Sequence, residues 1–105
     1  FTQEDEPRSL IVLLLGALEN ISKNSEGAQL CLDAGLGKSI VSLFRLEIEE
    51  GLACAWNLCA RPRGAEVLIE AGVVPALTET LQNPKLARLS AGVLLSVSIQ
   101  KTGKQ

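Results

Sequence analysis

Residues 16–45 read GALENISKNSEGAQLCLDAGLGKSIVSLFR, and residues 53–82 read ACAWNLCARPRGAEVLIEAGVVPALTETLQ. Laid over one another they need no gap. Asn20 falls on Asn57, an offset of 37 residues, Gly27-Ala28 falls on Gly64-Ala65, and Ala34-Gly35 falls on Ala71-Gly72. Between these five identities the matches keep size and polarity: Ile21 with Leu58, Leu32 with Ile69, Asp33 with Glu70, Ile40 with Leu77. The identities are few. The coincidence of glycines and apolar positions in one register is what marks an internal repeat.

Each copy reads as helices. A short helix over about 25–34 starts at Asn24 or Ser25, both good N-caps, and ends at Gly35, a residue suited to the left-handed position after a helix. A second helix covers about 37–46, with Ile40, Leu43 and Phe44 on one face, and a third covers about 48–60. The next unit repeats the pattern over about 63–71, then over about 74–82 with Pro75 in the first turn. Asn83-Pro84 breaks that helix, and a last one runs from about Lys85 to Gln100. No stretch alternates with a period of two, so no strands are expected.

Outward from the repeat lies the run Leu10–Leu15, six apolar residues in a row. A membrane-spanning helix needs about 20 apolar residues, and this stretch is far shorter even when Gly16, Ala17 and Leu18 are counted. A signal peptide would carry positive charge ahead of it, whereas Glu4, Asp5, Glu6, Pro7 and Arg8 precede it, acid outnumbering base. Acid before proline suits a helix start. The run therefore reads as the third helix of a preceding unit, apolar nearly all round because neighbours cover it. The chain contains no methionine and is expected to be a piece of something longer. Its organisation is a single segment, 1–105, in which 8–23 is the third helix of a truncated unit and 24–60 and 61–101 are full units.

Composition narrows the function. A net charge of −2 without a basic cluster, and 3% aromatic residues, argue against nucleic acid. Cys31, Cys54 and Cys59 are odd in number and lie among apolar neighbours, so they read as reduced core residues. That points to an intracellular compartment, the cytoplasm or the nucleus. There is no histidine and no C-x-x-C, so neither a metal nor another cofactor is implied. The stretch A-G-L-G-K-S (34–39) lacks the spacing of a phosphate-binding loop and follows a helix rather than a strand. An enzyme is not expected.

The segments G-A-L-E-N-I (16–21), C-L-D-A-G-L-G-K-S-I-V-S-L-F (31–44), A-W-N-L (55–58) and L-I-E-A-G-V-V-P-A-L-T-E-T-L (68–81) resemble the armadillo repeat family. The resemblance covers about residues 8–100, with the related HEAT repeats as the second reading. It implies an all-α, right-handed α-solenoid of three-helix repeats whose third helices line a concave groove. In that family an asparagine on each third helix bonds the backbone of an extended peptide. By that likeness Asn20 and Asn57 are the groove asparagines. A third unit aligned with a loop two residues longer places Ser96 in the same row. The tryptophan that nuclear import receptors carry four residues before the asparagine is replaced here by Gly16 and Ala53, so that pocket is not reproduced.

The residues allow two readings at each candidate position. A carboxamide supplies donor and acceptor together, matching a peptide amide, and stacked helices would set Asn20 and Asn57 about 9–10 Å apart. Equally, an asparagine near a helix end can bond local backbone. One turn further on are Asn24, Arg61 and Gln100, and two turns before Asn57 is Glu50. They form either a polar groove or an ordinary solvated rim. Trp56 is either a binding anchor or core. Glu47, Glu49 and Glu50 compensate a helix dipole or form an acidic patch. The expected function is protein–protein interaction, holding an extended peptide or partner helix. The alternative is structural packing within a larger scaffold. In either case the end helices should leave apolar faces exposed, so that the isolated chain self-associates or needs flanking repeats.

Overall fold

The computed structural model describes the backbone over 5–103 and the side chains over 7–100. The described residues form seven α-helices: α1 (Asp5–Ile21), α2 (Ser25–Asp33), α3 (Leu36–Ser42), α4 (Glu49–Cys59), α5 (Pro62–Glu70), α6 (Val73–Thr80) and α7 (Ala87–Gly103). A single 3-10 turn spans Leu43–Leu46, and there is no strand among the described residues. The repeat is visible in the bounds themselves. Shifting α2 by 37 residues gives both ends of α5, and shifting the start of α3 gives the start of α6.

Two glycine pairs explain the register. Gly35 and Gly72 stand at φ 75° and 88°, the left-handed geometry that joins the short helix to the next one. Gly27 and Gly64 are needed for space: a Cβ on either would run into the carbonyl oxygen of Ile21 or Leu58, at the end of the preceding helix. The glycines that align in sequence are thus the places where backbone meets backbone.

The helices pack like against like. α1, α4 and α7 lie side by side with α4 in the middle, α2 packs on α5, and α3 packs on α6. The core between them holds Leu15, Leu52, Leu58, Leu68, Leu77 and Val93, all fully buried. Arg8 ties the start of α1 to the 3-10 turn by donating from Nη1 to Leu46 O at 2.6 Å. The result is a helical, repeat-like fold. No helix among the described residues is long and apolar enough to cross a membrane.

Three expectations need correction. The helix expected over 37–46 tightens into the 3-10 turn at Leu43: Ser42 Oγ donates to Ser39 O at 2.7 Å, a local bond that competes with the helical ladder, and Phe44 is buried. α7 starts at Ala87 rather than Lys85. Asn83 Oδ1 accepts from Lys85 N at 2.9 Å, and Asn83 O accepts from Leu86 N at 2.9 Å, closing a turn around Pro84. Finally, α1 is not covered all round. Leu15 is fully buried, yet Leu10, Leu13, Leu14 and Ile21 are exposed, and so are Leu95 and Ile99 on α7. Only α4 has a like neighbour on both sides.

Candidate functional site

The candidate residues lie on α1, α4 and α7 or just after α1 and α4, and the structure sorts them by what they touch. Asn57 is half-buried in the crevice between α4 and α1. Its Nδ2 donates to Glu19 O at 3.0 Å and to Ser22 Oγ at 3.1 Å. Ser22 is fully buried and donates onward to Glu19 O at 3.0 Å. This carboxamide therefore joins two helices through its nitrogen. Asn20, at the same register of α1, is exposed, and among the described residues no like helix packs on the side of α1 away from α4.

The row one turn further on also bridges units. Arg61 Nη2 donates to Ser25 Oγ at 3.2 Å, and Nη1 donates to Asn57 O at 3.2 Å. Gln100 Nε2 donates to Ala60 O at 2.9 Å. Asn24 caps α2, its Oδ1 accepting from Gly27 N at 2.7 Å. These side chains satisfy helix ends that would otherwise lack partners. Glu50 is half-buried in the first turn of α4, its Cγ lying over Gly16. Ser96 is half-buried on α7 at the register of the asparagines. Sequence reasoning missed Ser22, the acceptor of the Asn57 bond. Its signal was a small hydroxyl two residues after Asn20, which is undistinguished without the fold.

Trp56 stands apart. It is 37% exposed, and its ring lies so close over Gly92 that a Cβ there would strike it. A glycine on α7 thus makes room for a tryptophan on α4. The ring edges a hollow of about 410 Å³ lined by Glu49, Trp56, Lys85, Arg88 and Leu89. An aromatic surface is set there between a carboxylate and two cations.

Cys54 Sγ lies 3.7 Å from Ser22 Oγ, beneath the Asn57 bond. Cys31, Cys54 and Cys59 are all buried thiols. Burial pushes the Cys59 thiol up to about 12 and the Cys54 thiol up to about 11, the latter against a hydrogen bond with Ser22, and it raises Cys31 as well. Protonated thiols are poor nucleophiles and poor metal ligands. No group of three or more acidic, Cys or His side chains among the described residues is placed to hold a metal ion. Compared with known proteins, the chain matches no protein-family model, no curated protein and no solved structure.

Proposed function

We propose that the chain is a protein-binding segment of an armadillo-type α-solenoid, holding an extended peptide or partner helix on the face where α1, α4 and α7 run side by side. The observation that carries this reading is Trp56. A tryptophan packed over a glycine and left partly open offers a rigid apolar anchor, the kind of residue that dominates interface energetics. Glu49, Lys85 and Arg88 around it supply charges of both signs for a polar rim. Asn20 adds an exposed carboxamide on the same row.

The structural-packing alternative is favoured by a different observation. Asn57, Arg61 and Gln100 spend their donors on neighbouring units rather than on an open groove. The two readings separate in a peptide-array or pull-down comparison of the wild-type chain with Trp56→Ala and Asn20→Ala, with helicity followed by circular dichroism. Under the binding reading Trp56→Ala loses the partner by at least tenfold while helicity is kept. A partner retained by both variants, or none captured at all, would leave the packing reading standing.

A further inference from the structure

We infer that the hollow beside Trp56 receives a carboxylate of an acidic, extended peptide segment, with an apolar side chain of that segment lying on the Trp56 ring. The inference rests on the protein-binding reading above and names the chemistry of the partner. Both walls of the hollow belong to the joint of α4 with α7, built within the chain. Trp56 and Leu89 are its apolar lining, and the ring rests over Gly92, which fixes its place. Glu49, Lys85 and Arg88 are its charged lining, and all three are exposed.

These charges do not neutralise one another. Among the described residues no ion pair joins Glu49 to Lys85 or to Arg88. Glu49 already serves the first turn of α4, where a carboxylate offsets the positive end of the helix dipole. Lys85 and Arg88 stand at the start of α7, where the same dipole disfavours cations, and α7 has no acidic residue in its first turn. The two cations are therefore poorly placed for helix stability, yet they line one hollow with the chain's only tryptophan. A carboxylate from a partner removes the conflict. It pairs with both cations and brings negative charge to the start of α7.

The neighbouring joint differs. Counted back through the repeat, with the longer loop of the third unit, Trp56 corresponds to Glu19 and Arg88 to Glu49. Where the α4–α7 joint offers a tryptophan and a cation, the α1–α4 joint offers carboxylates. Anion recognition is thus confined to one joint and is a feature of this chain's own residues. A single-stranded nucleic acid, with its phosphates and a base to stack, is the competing occupant. One aromatic residue, a carboxylate in the lining and a net charge of −2 favour the peptide.

Trp56 fluorescence reports on the hollow directly, because the chain has no other tryptophan and no tyrosine. The probes are capped peptides of one design, a central leucine flanked on both sides by glutamates, glutamines or lysines, together with a thymidine oligonucleotide. The glutamate peptide is expected to shift the Trp56 emission and to bind about tenfold more tightly than the glutamine peptide at about 0.05 M salt. Most of that preference should be lost at about 0.5 M salt, where screening is stronger. Lys85→Glu/Arg88→Glu keeps the reporter and places acids where a helix start favours them, so helicity by circular dichroism should be kept. This variant is expected to prefer the lysine peptide. Equal binding of the three peptides, or an unchanged preference in the charge-reversed variant, overturns the acidic partner and leaves the protein-binding reading intact. An oligonucleotide bound more tightly than the glutamate peptide overturns it in favour of nucleic acid. No response to any probe also overturns it, and the protein-binding reading falls as well only if Trp56→Ala captures the same proteins as wild type.

Discussion

At the scale of single residues, the glycines carry the tightest constraints. Gly27 and Gly35 both recur in register in the second unit, as Gly64 and Gly72, but for different physical reasons. Gly27 gives way to backbone: its missing Cβ lets the first turn of α2 approach Ile21 O. Gly35 has nothing within contact distance and is needed only for its positive φ. The two should therefore respond differently to the same change. Gly27→Ala is expected to cost about 3 kcal/mol or more, because backbone on both sides must shift. Gly35→Ala should cost roughly 1–2 kcal/mol, the strain of a left-handed alanine. Urea unfolding of the two variants measures both, and equal costs would refute the distinction.

At the scale of elements, the joints between helices decide what each polar side chain does. Asn20 and Asn57 occupy the same register of the repeat, yet Asn57 has α1 beside it and Asn20 has no like helix on that side among the described residues. Asn57→Ala removes a half-buried donor that serves both Glu19 O and the fully buried Ser22 Oγ, so it should cost about 1–2 kcal/mol. Asn20→Ala in the dilute monomer should stay within about 0.5 kcal/mol of wild type. Denaturant midpoints compare them, and a comparable loss from Asn20→Ala would mean that this asparagine is already bonded. The same logic explains why the helix bounds were legible while the roles were not. Asn24 before Ser25, Gly35 and Gly72 after short helices, and Asn83-Pro84 are local signals that act within a few residues. One of these signals, and one residue that was not among them, altered the bounds in detail. Asn83 held the chain in a turn through Leu86 and delayed α7, and Ser42 preceded a tightening of α3.

At the scale of the whole molecule, the buried thiols link the fold to pH. Cys59 is raised to about 12 and Cys54 to about 11 from an ordinary 9.0, chiefly because burial penalises the thiolate. The folded chain thus keeps protons that the unfolded chain releases near that ordinary value. The stability linked to these thiols is complete below pH 9.0 and declines as pH rises through about 11 for Cys54 and about 12 for Cys59. Denaturant midpoints measured from about pH 8 to about pH 11 should fall, and Cys59→Ala should flatten that alkaline limb. The chain has no tyrosine, so thiolate absorbance can be followed directly alongside. A midpoint independent of pH over this range would show that the thiols ionise without opening the core.

Sequence alone determined the helices, their order and the 37-residue repeat, because caps, turn glycines and apolar spacing act over a few residues and recur in register. It also singled out the asparagine row and Trp56, though with two readings for each. Only the tertiary structure decided between neighbours and solvent. Asn57 bonds α1 while Asn20 is exposed, Trp56 lies over a glycine 36 residues away, and Leu13 and Leu14 face outward in a run that reads as core. Burial is a property of which helix stands alongside, and a side chain of the same type at the same register is core or surface according to whether that neighbour is there.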